Sequence, residues 1–315
     1  MDRSPHASRR SRVEGRSPRG TAPRTLCRFV PALLIALLLL LAASSGCGVL
    51  PTPVTAQPPP SGSLVVSFID VGQGDGVLVQ SGGEGYLLDT GKAQAGPKVV
   101  DFLRSRGVES LDGIVVSNPD ADHIGGFEDV LDALEVANVY LSGDPKGTST
   151  YNSFLRAVRD EGSEVVESRA GMRMHWGSTT ADVIAPPPDK LFSETNDNSV
   201  GILLTHGSAR VLLAGDAEKK SEEYMSNGNY TGPLTVLTVT HHGSNTSSTP
   251  LFLNSFTPEI AVIQVGADNS YGHPTPQTLE RLQKTGALVF RNDEHGDVIV
   301  TTDGEKADVA VTKGA

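Results

Sequence analysis

Two carboxylates, one carboxamide and one imidazole fall within six residues, Asn118-Pro119-Asp120-Ala121-Asp122-His123, followed by Ile124-Gly125-Gly126. Oxygen and nitrogen donors this close on one loop can converge on a cation, and the paired glycines let the backbone fold tightly. A helix cap explains one such residue, with Asp120 or Asp122 accepting from free backbone N–H groups, but it does not explain four. Metal binding by Asn118, Asp120, Asp122 and His123 is the chemistry this segment predicts. Further polar groups stand at the ends of apolar runs. They are Asp70 and Asp75 around Val71-Gly72-Gln73-Gly74, Asp216 after Val211-Leu212-Leu213-Ala214-Gly215, and His241-His242 after Val236-Leu237-Thr238-Val239. Taken singly, each reads as an ordinary turn residue, and adjacent histidines on a strand cannot both point inward.

Short β-branched runs must carry these loops: Leu64–Ile69, Gly76–Gln80, Tyr86–Asp89 and Gly113–Ser117, then Val136–Leu141 and Glu164–Glu167,. Pro97–Arg106, Phe127–Leu134 and Tyr151–Glu161 have helical spacing of apolar residues,. Residues 185–198, with three consecutive prolines, read as a loop, and Val200–His206 with Ala209–Ala214 as a hairpin turning at Gly207-Ser208,. Beyond these, Leu234–Thr240, Ile260–Val265, Leu288–Phe290, Val298–Thr301 and Asp308–Val311 read as strands, and Pro250–Phe256 and Pro274–Thr285 as helices. Strands in both halves with interspersed helices predict two sheets packed face to face and covered by helices. His175, His206 and His295 have no acidic neighbours in sequence and read as structural, and Trp176 as the cap of a core edge.

The formal charge of −11 conceals an asymmetry. Residues 1–48 carry eight arginines against Asp2 and Glu14, so the body from residue 49 onward is strongly acidic. Such a body repels polyphosphate at long range, which argues against tight, sequence-independent binding of long duplex. With 5% aromatic residues there is little material for a broad base-stacking platform either,. The arginine-rich start precedes 22 uncharged residues, Phe29–Leu50, whose apolar core ends in Ser44-Ser45-Gly46-Cys47. This reads as an export segment. It resembles a bacterial lipoprotein signal, with Ser44 where leucine is usual; an uncleaved anchor and ordinary secretion are the alternatives. All three place the body outside the cytoplasm, attached to the membrane by lipid or helix in the first two. Both cysteines, Cys27 and Cys47, lie in this segment, which excludes a cysteine nucleophile, a cysteine-ligated zinc and an internal disulfide from the body,. The domain expectation is therefore residues 1–47 as signal or anchor, 48–63 as a proline-rich spacer and 64–315 as one folded domain.

Taken together, the motifs F-I-D-V-G-Q-G-D, N-P-D-A-D-H-I-G-G, N-D-N-S-V, L-L-A-G-D, H-H-G-S-N-T-S-S and N-S-Y-G-H-P occur in order from about Leu64 to Val311. They resemble the metallohydrolase domain of the DNA-uptake competence protein ComEC, within the metallo-β-lactamase superfamily. The membrane-channel part of that protein has no counterpart here. The resemblance implies an α/β (α+β) fold, a four-layer αββα sandwich of two mixed sheets flanked by helices. It also implies a divalent metal centre of one or two ions. Asp120 takes a position usually held by histidine, Asp122 and His123 bind one metal, Asp216 bridges, and His242, or His241, supplies a late imidazole near His273. Asn118 departs from the family's histidine, and a carboxamide oxygen suits a hard cation better than zinc.

So oxygen-rich a donor set makes manganese a rival to zinc. The implied activity is hydrolysis of a phosphodiester in nucleic acid or nucleotides, by hydroxide generated from a metal-activated water. Asp122 is the candidate proton acceptor and His273 a second catalytic candidate, while Ser244, Ser247 and Asn198 are candidates for hydrogen bonds to phosphate. No protein partner is implied. The alternatives are a non-catalytic or single-metal DNA-uptake binding component, suggested by Asn118, and a β-lactam hydrolase, against which Asn118 and Asp120 both speak.

Overall fold

The computed structural model describes residues 52–53 and 59–313. The arginine-rich leader and its apolar run lie outside these residues, as does most of the proline-rich spacer. Among the described residues, no helix is long and apolar enough to cross a membrane.

Nine strands form one sheet, in the order Thr52–Pro53, Ala307–Val311, Val298–Thr302, Leu64–Phe68, Val77–Ser81, Glu84–Leu88, Gly113–Val116, Asn138–Leu141 and Glu164–Glu167. Seven form the other: Arg173–Trp176, Thr179–Ala185, Gly201–His206, Ala209–Leu213, Leu234–Thr238, Pro258–Ile263 and Leu288–Arg291. Alternation along the strands sends one set of side chains into the seam between the sheets, where Phe68, Val79, Leu88 and Val115 meet Val183, Ile202, Leu213 and Val236,. The opposite face of the nine-stranded sheet buries Leu78, Leu87 and Ile114 against helices Gly96–Ser105, Phe127–Ala133 and Ser149–Glu161. That of the seven-stranded sheet buries Leu203, Leu212 and Leu237 with Met225, Phe252 and Leu282 of three further helices. The layers are thus αββα, as the sequence predicts.

Each sheet contains a pair of adjacent parallel strands whose C-terminal ends lie side by side. Leu88 is in register with Val115 in the first sheet, and Leu212 with Leu237 in the second. In open α/β sheets the loops beyond such ends are where ligands bind, and here both sets of loops open on the same seam. Gly215 marks one point of close approach, since a Cβ there would lie 2.4 Å from Ser117 Oγ of the other sheet.

Three local readings change. Val136–Leu141 is two strands: Glu135–Val136 pairs with Ser110–Leu111 in a separate small sheet, and only Asn138–Leu141 joins the large one. Helix Lys219–Ser226 and the hairpin from Arg173 to Ala185 have no counterpart in the sequence reading, because Lys-Lys-Ser-Glu-Glu looks like a solvated turn and Arg173–Trp176 is a largely exposed edge. Trp176 does not cap an edge. It is 1% exposed and stacks on Tyr86 with ring centroids 4.1 Å apart, tying the two sheets together within the core. Trp176→Ala is expected to lower the unfolding free energy by about 3–5 kcal/mol in urea titrations followed by circular dichroism; a loss below about 1 kcal/mol would contradict this packing.

Candidate metal centre

The first sheet delivers its candidate ligands through the short helix Ala121–Ile124, four residues after strand Gly113–Val116. His123 is fully buried there, with Nδ1 2.8 Å from Asp89 Oδ2, and Asp89 also accepts the Ser117 N–H at 2.9 Å. The second sheet delivers Asp216 and His242. His242 Nδ1 lies 3.0 Å from the Gln264 carbonyl oxygen and 3.1 Å from Asp75 Oδ1. Acceptors at both Nδ1 atoms put a proton on each, leaving both Nε2 atoms to face inward, an arrangement typical of metal-ligating histidines.

Those inward atoms converge. His123 Nε2 is 3.1 Å from Asp216 Oδ2, and His242 Nε2 is 3.3 Å from Asp216 Oδ1 and 3.7 Å from Asp122 Oδ2. Ligand atoms of Asp122, His123 and His242 all lie within 4.8 Å of one another. Yet His123 Nε2, His242 Nε2 and Asp216 Oδ1 are buried with no aligned hydrogen-bond partner. Buried polar atoms are rarely left so, and atoms aimed at a shared point instead of at each other are what a cation site requires. The donor set fits a divalent ion.

The adjacent histidines both reach this side because they are not on a strand. The strand ends at Thr238, and His241 (φ 51°) and His242 (φ 53°) form a left-handed turn. His242 turns inward, while His241 lies 3.9 Å from Asp216 and 3.0 Å from Glu218. Consecutive non-glycine residues in this region carry strain of order 1 kcal/mol or more each. Glu222, fully buried, offsets it: its carboxylate accepts Thr240 Oγ1–H at 2.8 Å, the Ser248 N–H and the Thr249 N–H at 2.8 Å. The His241 N–H donates to the Gly215 carbonyl at 3.0 Å. Gly74 closes the other side, since a Cβ there would fall 2.0 Å from the Asp122 carbonyl oxygen.

Other expected site residues are placed differently. Asn118 is buried, donating Nδ2–H to Asn196 Oδ1 (2.9 Å) and accepting the Asp120 N–H (3.0 Å). Asp120 lies against Lys146, and its Oδ1 is buried without an aligned hydrogen-bond partner. Asn198 holds its own loop, donating to Asp144 (2.8 Å) and accepting from Phe192 N–H (2.7 Å). Ser247 donates to the Thr240 carbonyl (2.8 Å), and Ser244 shares a hydrogen bond with Thr246 (2.8 Å). Asp70 faces away, bonded to Lys313 at 2.9 Å. His273 is half-buried beside His241, ring centroids 5.7 Å apart, with Nδ1 unpartnered.

Asp89, Glu222 and Lys146 escaped the sequence reading. Asp89 had a signal, an acid at the end of an apolar run in Leu87-Leu88-Asp89-Thr90-Gly91. Asp75 ends the F-I-D-V-G-Q-G-D motif, where the sequence alone gives it no role beyond that of a turn residue at the end of an apolar run.

The family model described as the metallo-beta-lactamase superfamily matches residues 69–266. The chain belongs to that superfamily. It is 34% identical over 240 residues to Competence protein ComA of Neisseria gonorrhoeae, an alignment covering 75% of this chain and 32% of that protein. It is 30% identical over 255 residues to ComE operon protein 3 of Bacillus subtilis, covering 74% and 32%. The chain thus spans about a third of the length of these relatives. Among solved structures, the metallo-beta-lactamase fold protein YhfI of Bacillus subtilis superposes with TM-score 0.52 at 14% identity, over 76% of this chain and 100% of that one. The CmlA beta-hydroxylase E377D mutant gives 0.51 at 16% identity, over 77% and 54%. A hydroxylase on the same superfamily fold means that reaction class has to be argued from the site.

Electrostatics follow from this burial. Burial by itself raises the Asp216 carboxyl, but His123 and His242 outweigh it and hold the group well below the carboxylate range. Burial opposes charge on His242, yet Asp216 and Asp75 raise its pKa to about 9. His123 is likewise pushed well above its usual value, against burial, by Asp216 and Asp89. Burial lowers His273, helped by His241 and His242, so it is neutral at pH 7.

The metal-free protein should therefore carry a stabilising contribution from His242 that is complete below about pH 6.5 and lost as pH rises through about 9,. Urea midpoints of chelator-treated protein should fall over that window, by up to about 3 kcal/mol in unfolding free energy, and His242→Gln should flatten the slope; an unchanged slope would refute the coupling. Because a ligand imidazole must shed its Nε2 proton, metal uptake should also release protons. Separately, Asp89→Asn should weaken metal affinity about 10- to 100-fold by loosening His123, as measured by competition with a chromophoric chelator. Unchanged affinity would remove Asp89 from this role.

Proposed function

We propose that this chain is an exported, membrane-attached, metal-dependent phosphodiesterase acting on nucleic acid or nucleotides. The observation that carries the reading is the convergence of Asp122, His123, Asp216 and His242 on one point at the seam of the sheets, with His123 Nε2, His242 Nε2 and Asp216 Oδ1 buried and unpartnered. The export part rests on the arginine-rich leader and the uncharged run ending at Cys47. The competence relatives support a nucleic-acid setting through their names alone.

A divalent ion held by these residues supplies a more acidic water and polarises a phosphoryl oxygen. The chain's own contribution is to fix that chemistry in place. Asp89 and Asp75 hold the two imidazoles, Glu222 holds the turn that carries one of them, and the buried Asp216 keeps its negative charge at any ordinary pH. Asp122 is the more exposed carboxylate of the centre, its side chain 19% accessible against 5% for Asp216, and so is placed to take up the proton of an attacking water,. His273, neutral and half-buried at the margin, is the second group able to accept a proton. The acidic body favours short strands and small phosphodiesters over long duplex,.

Hydrolysis of bis(p-nitrophenyl) phosphate should be abolished by chelation and restored by zinc or manganese. Asp122→Ala should lower kcat/KM by at least about 100-fold while leaving the circular dichroism spectrum intact. Full activity in Asp122→Ala, or turnover of nitrocefin with none of the phosphodiester, would overturn the assignment.

A further inference from the structure

Asp122, His123, Asp216 and His242 account for one cation. The remaining polar residues of the same loop do not join them. Asn118 spends its carboxamide on Asn196 and on the Asp120 backbone, and Asp120 turns its carboxylate to the ammonium of Lys146. Lys146 stands on residues 142–148, the loop that follows strand Asn138–Leu141, which is the parallel neighbour of the strand feeding Asp120. The two loops therefore leave the sheet side by side, and an ammonium on one meets a carboxylate on the other. Burial lowers the pKa of that ammonium, and the field of Asp216 from the centre opposes the shift. Its side chain remains 29% accessible, so it faces the opening and is not sealed into the core.

We propose that the centre holds a single divalent ion, on Asp122, His123, Asp216 and His242, and that the Lys146 ammonium is its resident second cation, held by Asp120 to bind a phosphoryl oxygen of the substrate. A second ion at Asp120 would have to displace the ammonium and find a ligand in a carboxamide already bonded at both ends. An ammonium, by contrast, keeps three donors on a flexible stem, so it can pair with Asp120 and still offer a hydrogen bond to an incoming phosphate. Pairing with Asp120 holds the charge at the mouth when no substrate is present, and Asn118 fixes the Asp120 backbone that receives it.

The proposal rests on the metal-centre reading above, and a measurement on the full chain separates the two. Elemental analysis after equilibration with zinc or manganese and dialysis is expected to give one ion per chain. Calorimetric titration of the metal-loaded protein with inorganic phosphate should show binding that Lys146→Met weakens about 10- to 100-fold, as for loss of a hydrogen bond to a charged group. The same variant should hold its ion at least as tightly, since removing an ammonium from the field of Asp216 removes a competing positive charge,. Two tightly held ions in the wild type would overturn the proposal and leave the metal centre standing. So would a Lys146→Met variant that binds phosphate normally, or one that loses its ion, which would make the lysine a mere support of the ligand loop. No bound ion in the wild type would overturn both readings. Phosphate binding that depends on Lys146 in a protein inert toward phosphodiesters would sustain the site and overturn only the assigned activity.

Discussion

Burying a carboxylate between two imidazoles is the constraint from which the rest of this molecule can be reasoned. Asp216 is almost wholly removed from water, and a bare charge there would cost several kcal/mol,. His123 and His242 compensate it from opposite sides, and they in turn are held by Asp89 and Asp75. The result is a chain of alternating acid and base that crosses the seam between the sheets. Two of its links, His123 to Asp216 and His242 to Asp75, each join a residue of one sheet to a residue of the other. The apolar seam brings the sheets together, and the charged chain fixes their relative position at one end, where small displacements matter most.

The backbone is shaped to the same purpose. Among the described residues, the non-glycine positions with positive φ are Asp89, His241, His242 and Ser248. Two of these are a candidate ligand and its neighbour on the turn, one orients a candidate ligand, and the last lies in the loop clasped by Glu222. Strain gathered at one place and held by a buried carboxylate is the usual mark of a site whose geometry is over-determined. Glu222 acts through backbone amides and a threonine hydroxyl and has no direct contact with the ligand atoms, which is why a helix of unremarkable sequence turns out to govern the position of two histidines.

Much of this is legible in the sequence. The layered α/β architecture follows from the alternation of β-branched runs with amphipathic segments, and the clustered donors of 118–123 announced a cation site. What could not be read was the role of groups whose function depends on a partner distant in sequence. Asp89 looked like the end of a strand because its partner His123 is 34 residues away. Lys146 sits in a glycine- and proline-containing loop with no pattern at all, and Glu222 lies in a run of charges that suggests solvent. Asn198 and Ser247 carried the right chemistry for phosphate, but folding commits both to their own loops. Trp176 looked peripheral because a four-residue edge strand gives little periodicity, whereas its ring spans the seam.

Shared ownership of the ligands by two sheets has a mechanical corollary. A slide of one sheet across the other by a fraction of a side chain costs the apolar seam part of its dispersion contacts. The charged cage is more exacting still, because an ångström of misplacement at a reacting centre can remove two orders of magnitude in rate. Heat or denaturant should therefore disturb the cage before the secondary structure is lost, and the seam, more than the outer helices, sets the limit at which its geometry holds.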